Sequence, residues 1–284
     1  MLDGLQIAVD FANLPLRPDV FTIPAFEALG MTLGPFALRW YSLSYIAAIV
    51  LGWWLLLRMI KRPGSPMTAE NVDNFITWAT LGVIIGGRLG YVLFYNPAQY
   101  AANPMEILRV WDGGMSFHGG AFGVIVGCFG FGWANKVSGL RVLDYVATVS
   151  PLGLGLGRLA NFVNGELWGR PTGSDWGVIF PGAGPEPRYP SQLFEAGLEG
   201  AVLLAIMSFL FWRTEARFRP GLLAGVFGVG YGLSRYLIEN YREPDRQLGF
   251  LSTGLTMGQT LTLPMILVGL VLIGLALGRR ERAG

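Results

Sequence analysis

The sequence predicts an all-α polytopic membrane protein with about seven transmembrane helices. Of its 284 residues, 52% are hydrophobic and only 14% are charged, against about 25% charged residues in an ordinary soluble domain. The mean hydropathy is +0.46. One cysteine and one histidine cannot build a disulfide framework or an ordinary zinc site. The composition excludes a disordered chain and favours an integral membrane protein over a soluble enzyme.

Seven apolar stretches approach the length of about 20 residues that a membrane-spanning helix needs. In chain order they are Trp40–Ile60, Phe75–Tyr95, Phe117–Asn135, Leu143–Val163, Leu193–Trp212, Leu222–Tyr241 and Met257–Leu277. None shows the alternating pattern of a membrane β-strand, and all are too apolar for the amphipathic helices of a soluble protein. We therefore expect residues 1–284 to form a single integral membrane domain.

The positions of Lys and Arg predict the orientation of this domain. Eleven of them follow the first, third, fifth and seventh stretches, whereas seven are spread over the longer connections on the opposite side. The eleven are Arg58, Lys61, Arg62, Lys136, Arg141, Arg213, Arg217, Arg219, Arg279, Arg280 and Arg282. Because Lys and Arg concentrate in short cytoplasmic loops, we expect the N-terminus outside and the C-terminus in the cytoplasm.

Two segments outside the apolar stretches have compositions that do not suit long helices. Four prolines interrupt residues 1–38, which we expect to form an external N-terminal segment lying on the membrane. Residues 164–190 are rich in Gly and Pro, and we expect them to form a small external headpiece.

Three arginines lie inside the predicted spans: Arg88, Arg158 and Arg235. A charge within the membrane is costly, so it normally faces the interior of the helix bundle and marks a functional site. The structural alternatives are snorkelling to the interface or an ion pair, such as Arg235 with Glu239 one helical turn away. The role of Arg88 stays open at this point.

Two polar stripes accompany these arginines. The first consists of Arg158, Asn161 and Asn164 at three-residue spacing, with Glu166 close behind. The second consists of Tyr231, Arg235, Glu239 and Arg242 at spacings of four, four and three, on one helix face. Both stripes lie near the external ends of their spans, where they can meet. Because arginine binds phosphate through two parallel hydrogen bonds, the stripes predict a site for a lipid phosphate at headgroup depth.

The only histidine, His118, lies at the start of the third span in the sequence WDGGMSFHGG. A histidine titrates near neutral pH and can take a proton from a nucleophile. A hydrogen-bonded histidine at a helix start is the alternative. Glycines four residues apart predict close helix packing rather than chemistry. They include Gly82, Gly86, Gly90, Gly119, Gly123 and Gly127.

From these residues alone, several functions stay open besides an enzyme that acts on a lipid phosphate. A secondary transporter or flippase for an anionic substrate would also use intramembrane arginines, but such proteins usually carry internal repeats, and we find none. A lipid-binding scaffold without catalysis is a second alternative. An intramembrane protease is a third, although no serine stands at a suitable spacing from His118 on its helix.

Seven blocks of the sequence resemble the prolipoprotein diacylglyceryl transferases of bacterial inner membranes. They are RWYSLSY at Arg39–Tyr45, GGRLGYVLFYN at Gly86–Asn96, WDGGMSFHGG at Trp111–Gly120, GRLANFVNGELWGRPT at Gly157–Thr172, RYPSQLFEA at Arg188–Ala196, YGLSRYLIENYREPD at Tyr231–Asp245 and TMGQTLTLPM at Thr256–Met265. The resemblance covers nearly the whole chain, except for the first 35 residues and part of the expected headpiece.

The resemblance implies a reaction and its residues. The diacylglyceryl group of phosphatidylglycerol would pass to the thiol of a lipobox cysteine in a prolipoprotein, forming a thioether and releasing glycerol 1-phosphate. The implied catalytic residues are His118, Arg158 and Arg235. The implied substrate-binding residues are Tyr41, Asn161, Glu166, Tyr231, Glu239 and Arg242. The family often has histidine where this chain has Tyr189, so His118 is left as the only candidate imidazole base.

The resemblance also implies the surroundings of the protein. It predicts a multi-pass protein of the bacterial inner membrane whose active site faces the periplasm. The expected partners are phosphatidylglycerol, prolipoprotein signal peptides and the bilayer itself. We expect a monomer, and we expect no metal, organic cofactor or nucleic acid.

Overall fold

The computed structural model describes residues 7–28, 31–244, 249 and 251–278, and within them the chain is mostly helical. The α-helices are α1 (Trp40–Met59), α2 (Ala69–Phe94), α3 (Pro97–Ala102), α4 (Phe117–Asn135), α5 (Gly139–Val163), α6 (Ser191–Glu195), α7 (Leu203–Arg213), α8 (Leu222–Ile238) and α9 (Met257–Leu277). A π-helical segment, Ala196–Val202, joins α6 to α7. Asp245 of the sixth block and Arg279, Arg280 and Arg282 of the charge count lie outside the described residues.

Six helices of the described chain are long and apolar enough to cross a membrane, which indicates a polytopic membrane protein. They are α1, α2, α4, α5, the continuous helix Ser191–Arg213 and α9. The remaining predicted span corresponds to α8, an apolar helix of 17 residues that is shorter than the six. An ideal helix of that length rises about 25 Å, against a hydrocarbon core of about 30 Å.

Capping residues explain where two of these helices begin. The Oγ of Ser116 accepts a hydrogen bond from the backbone of Gly119 at 3.2 Å, so α4 starts at Phe117, where the sequence predicts it. The second helix begins at Ala69, six residues before the predicted Phe75. A capping box between Thr68 and Asn71 starts it in a polar sequence that hydropathy alone does not assign to a span.

The prediction of an all-α fold omits the short strands that the described part of the chain contains. They are β1 (Ile7–Asp10), β2 (Asp19–Ile23), β3 (Phe26–Ala28), β4 (Met31–Leu33), β5 (Phe36–Arg39) and β6 (Trp176–Ile179). In the N-terminal segment, β2 pairs with β5 and β3 pairs with β4, both antiparallel. The prolines there do prevent a long helix, but the backbone hydrogen-bonds in hairpins instead.

The expected headpiece contacts the N-terminal segment through a pair of strands and a small apolar cluster. Strand β1 pairs in parallel with β6, with Ile7 opposite Trp176 and Asp10 opposite Ile179. Phe11 packs with Val178 and Phe180 in a small buried apolar cluster. Two segments that are about 170 residues apart in sequence therefore share one core.

The chain divides into two compact units. The first comprises residues 1–52, 148–213 and 225–272, and it contains residues 164–190, the expected headpiece. The second comprises residues 53–147, 214–224 and 273–284. The assignment of residues 1–284 to a single membrane domain, and the sides on which its segments lie, stay predictions.

In the second unit, α2 and α4 pack through their glycines as the sequence predicts. A Cβ atom added to Gly82 would lie 2.6 Å from the carbonyl oxygen of Gly123, and one added to Gly90 would lie 2.7 Å from Cα of Gly119. Side chains at these positions would force the two helices apart, so the small residues permit the contact.

Also in the second unit, Asp144 of α5 supports the start of α8. The carboxylate is buried and accepts backbone hydrogen bonds from Gly221 at 2.7 Å and from Ala224 at 2.8 Å. It thereby satisfies two of the donors that a helix start leaves unpaired.

Candidate active site

Three arginines from different segments of the first unit share one buried carboxylate. Glu195, at the end of α6, has a fully buried side chain. Its Oε1 accepts hydrogen bonds from Arg235 of α8 and from Nη1 of Arg242, the latter at 2.7 Å. Its Oε2 lies 3.4 Å from Nε of Arg158 on α5. The two polar stripes of the sequence therefore meet, and Glu195 joins them.

A second carboxylate, that of Glu239, holds two of these arginines from the other side. Its Oε2 lies 3.0 Å from Nη2 of Arg235 and 3.5 Å from Nε of Arg242. The hydroxyl of Thr256 donates a hydrogen bond to its Oε1 at 3.0 Å. Burial, and then the charge of Arg235, lower the pKa of the Arg242 guanidinium from its usual value, although an arginine stays protonated at neutral pH. The ion pairs fix Arg235 and Arg242 in one orientation each.

A third carboxylate, that of Glu199, lies one turn after Glu195 in the π-helical segment. Such segments are rare and are frequently found at functional sites. The Glu199 side chain is fully buried, and Nε of Arg158 lies 3.8 Å from its Oε2. We call the six side chains the arginine–glutamate cluster. Its members are Arg158, Glu195, Glu199, Arg235, Glu239 and Arg242.

Within this cluster, Arg158 keeps the most hydrogen-bonding capacity. Its side chain is 16% exposed, and its contacts to Glu195 and Glu199 both involve Nε. Neither Nη atom makes a hydrogen bond to any part of the chain that the structure describes. A Cβ atom on the adjacent Gly157 would meet no atom within 4 Å. Arg158 can therefore bind an anion through its terminal nitrogens without losing an existing hydrogen bond.

The amides of the first polar stripe hold Glu166 in place. Its Oε1 accepts hydrogen bonds from Nδ2 of Asn161 at 2.9 Å and of Asn164 at 3.1 Å. The fully buried Gln192 of α6 donates to the backbone oxygen of Glu166 at 2.7 Å. The side chain and the backbone of Glu166 are therefore held by Asn161 of α5 and Gln192 of α6, respectively. These two helices also contribute residues to the cluster.

The two predicted tyrosines take different positions in the first unit. Tyr41 lies at the start of α1, with its hydroxyl 3.0 Å from that of Tyr45 and within electrostatic range of Glu166 and Arg158. Tyr231 lies one turn before Arg235 on α8 and is buried within electrostatic range of Glu199. Both hydroxyl groups are therefore near the charged side chains.

The predicted base, His118, belongs to the second unit. It is exposed in the first turn of α4, with its ring 5.6 Å from that of Phe117. Ser116 caps this turn. The structure thus brings eight of the nine predicted site residues together in one unit and places the ninth at a helix start in the other.

Comparison with known proteins shows the family to which this chain is related. The profile of the prolipoprotein diacylglyceryl transferase family matches residues 29–275. The chain belongs to this family. It is 52% identical to the phosphatidylglycerol–prolipoprotein diacylglyceryl transferase of Zymomonas mobilis over 272 residues, which cover 96% of this chain and 95% of that one. It is 51% identical to the enzyme of the same name from Gluconacetobacter diazotrophicus, over 93% of this chain and 95% of that one.

Sequence reasoning missed two residues at the centre of the site in this diacylglyceryl transferase family member. The importance of Glu195 and Glu199 was not recognised, although both lie in the apolar stretch Leu193–Trp212. Two acids one turn apart in such a stretch are as costly as an arginine there. The sequence FEAGLEG therefore indicates a functional site as strongly as Arg158 does.

The structure also gives Arg88 of this family member a role. Its buried guanidinium donates from Nε to Ile107 O at 2.9 Å and from Nη1 to Gly113 O at 2.6 Å, and it also binds the carbonyl of Glu106. The ring of Tyr100 lies 5.1 Å away. Arg88 therefore holds the connection between α2 and α4 in place through hydrogen bonds to its backbone, instead of binding an anion. The cavity beside it measures about 240 Å³ and is polar.

We expect Arg88→Ala to loosen this connection and lower the free energy of unfolding by about 3 kcal/mol, because several buried carbonyls lose a charged donor. Arg88→Lys should recover only part of the loss, since an ammonium lacks the planar fork. Limited proteolysis between residues 103 and 115, together with thermal unfolding, measures both effects. Arg109→Ala, at an exposed arginine of the same connection, is the matched control. Equal protease resistance of Arg88→Ala and Arg109→Ala would show that Arg88 does not hold this connection in place.

Proposed function

We propose that this protein transfers the diacylglyceryl group of phosphatidylglycerol to the thiol of the lipobox cysteine of prolipoproteins. Its relatives carry the name of that activity. The observation that carries the proposal is the meeting of Arg158 and Arg235 at one buried carboxylate in a chain of this family. A cationic site between apolar helices suits the phosphate of a membrane lipid.

In the proposed reaction, the cysteine thiolate attacks the glyceryl carbon that bears the phosphate. A carbon–sulfur bond forms and the carbon–oxygen bond to phosphate breaks, so that glycerol 1-phosphate leaves. Negative charge grows on the departing phosphate oxygens, and Arg158 and Arg235 stabilise it. The free Nη atoms of Arg158 contact the phosphate first, because those of Arg235 already bind carboxylates.

The remaining predicted residues position these groups. Glu239 and Arg242 fix Arg235 through the ion pairs described above. Asn161 and Glu166 form a hydrogen-bonded pair that binds the headgroup hydroxyls. Tyr41 and Tyr231 supply further hydrogen bonds, and the acyl chains lie in a groove open to the bilayer.

The proposed location is the bacterial inner membrane, with seven spans, a periplasmic N-terminus and a site toward the periplasm. The excess of Lys and Arg after the odd-numbered spans supports this orientation. The sixth of these spans in chain order is the short helix α8. We propose that the protein works as a monomer without a metal or organic cofactor.

The test is to incubate the purified protein with phosphatidylglycerol and a synthetic lipobox peptide. We expect released glycerol phosphate and a peptide heavier by one diacylglyceryl group. A peptide with Cys→Ser at the lipobox is the control and should give neither product. A folded preparation that yields neither product with the cysteine peptide would contradict the proposal, and solute movement across sealed vesicles would then support a transporter.

If His118 takes the thiol proton, His118→Gln should lower the transfer rate by about 100-fold, the lower end of the usual range for general base catalysis. The remaining rate should no longer change with pH near about 6.5, where a histidine usually titrates. Without a base, only thiol groups that have already ionised in water would react. Initial rates between pH 5 and pH 9 measure this. A wild-type rate with an unchanged pH profile would remove His118 from the reaction.

A further inference from the structure

Glu199 differs from the other two carboxylates of the arginine–glutamate cluster. Glu195 and Glu239 each accept a hydrogen bond and contact two or more guanidinium groups. Both carboxyl oxygens of Glu199 are buried, and neither has a hydrogen-bond partner within the described part of the chain. Its ion pair with Nε of Arg158 is 3.8 Å long and shares that nitrogen with Glu195, which lies nearer at 3.4 Å.

An ionised carboxylate is expensive in this position. A buried charge that lacks good ion pairs and hydrogen bonds usually becomes neutral instead. Glu195 also lies one helical turn away, and two carboxylates that share a site do not easily ionise together. Among the described residues, Glu195 has three arginine partners and Glu199 has one distant partner, so the negative charge belongs on Glu195.

From this geometry we infer that Glu199 carries a proton in the resting protein. The charged and titratable groups that act on it come from every element around it: Glu195 on its own helix, Arg158 on α5, Tyr231 and Arg235 on α8, and Arg242 after α8. The proton leaves the three arginines of the cluster facing two carboxylates and one neutral acid. The cluster therefore holds one positive charge in excess.

This excess has a consequence for the ligand, which rests on the proposed function. The phosphodiester of phosphatidylglycerol carries a single negative charge, and the cluster with a protonated Glu199 matches that charge. With Glu199 ionised, the cluster would be neutral before the lipid bound and negative afterwards. Glu199 is thus a positioning residue that sets the charge of the site through its proton and does not touch the reacting atoms.

Infrared spectroscopy of the purified protein without substrate tests the protonation directly. We expect a carbonyl stretching band of a buried protonated carboxyl group that disappears in Glu199→Gln. Asp144→Asn is the matched control, since Asp144 is a buried carboxyl group of the other unit that accepts two backbone hydrogen bonds. The Glu199 band should survive that substitution. A protonated-carboxyl region that Glu199→Gln leaves unchanged would overturn the inference.

Thermal unfolding provides a second measurement. An amide replaces a neutral acid of the same shape in Glu199→Gln, so its unfolding midpoint should stay within about 2 °C of the wild-type value. Glu195→Gln removes an ionised partner of three arginines and should lower the midpoint by more than about 5 °C. Equal losses in the two variants would mean that Glu199 is ionised as well.

A third measurement separates the inference from the proposed function. Micelles that contain phosphatidylglycerol are added to the wild-type protein, and the Glu199 band should persist because the charges already match. Loss of the band on lipid addition would overturn the charge-matching role. A protein that shows the band but makes no diacylglyceryl peptide would refute the proposed function alone.

Discussion

Arg158→Ala should lower diacylglyceryl transfer by about 100- to 1000-fold and leave the fold intact. Removing one preorganised donor from developing negative charge has this effect in other enzymes. The Nη atoms of Arg158 make no hydrogen bond within the described chain, so the substitution removes donors that are available to a phosphate. Its ion pairs of 3.4 and 3.8 Å are long, so the protein should lose little stability. Glycerol phosphate release at saturating lipobox peptide measures the rate.

Two further variants determine what the rate of Arg158→Ala means. Arg158→Lys keeps the charge without the planar fork and should give an intermediate rate. Arg39→Ala removes an arginine of the same unit whose side chain is 65% exposed and pairs with Asp19 at 3.4 Å. It should keep the wild-type rate. If folded Arg158→Ala also transferred at that rate, Arg158 would not bind the phosphate.

Hydropathy predicts most of the helical architecture because each spanning helix must bury its own backbone polar groups in an apolar stretch. Helices α4 and α9 have the bounds that the sequence predicts. The strands could not be predicted in the same way. Strand β1 has four residues, and its partner β6 lies far along the chain, so the pairing depends on the tertiary contact of Phe11 with Val178 and Phe180.

The candidate site shows the same division between local and long-range information. Helical spacing places Arg235 and Glu239 on one face, and the ion pair that the sequence offers as a structural alternative is present at 3.0 Å. That Arg158 would reach the same carboxylate as Arg235 depends on how α5 packs against the π-helical segment. The contact of Gly155 with Gly200 sets that packing, and nothing in local sequence pairs those two glycines.

Glu195→Ala should be the most destabilising single substitution in the arginine–glutamate cluster. It leaves Arg235 and Arg242 buried without the carboxylate that both contact, and it removes the nearer partner of Arg158. Breaking a buried ion pair by removing one partner costs about 3–5 kcal/mol, because the remaining charge is uncompensated. Denaturant or thermal unfolding in detergent, compared with the wild-type protein, measures the loss.

A matched control for Glu195→Ala comes from an ion pair in an exposed position of the same unit. Glu243 pairs with Arg188 at 3.0 Å, and its side chain is 44% exposed, so Glu243→Ala should cost less than about 1 kcal/mol. The double variant Glu195→Ala with Arg242→Ala then tests the cause. It should lose less stability than the two single variants added together, because the second substitution removes a charge that the first left unpaired. Strict additivity would show that Arg242 gains nothing from Glu195, and the cluster would then be held together by packing instead of by its shared carboxylate.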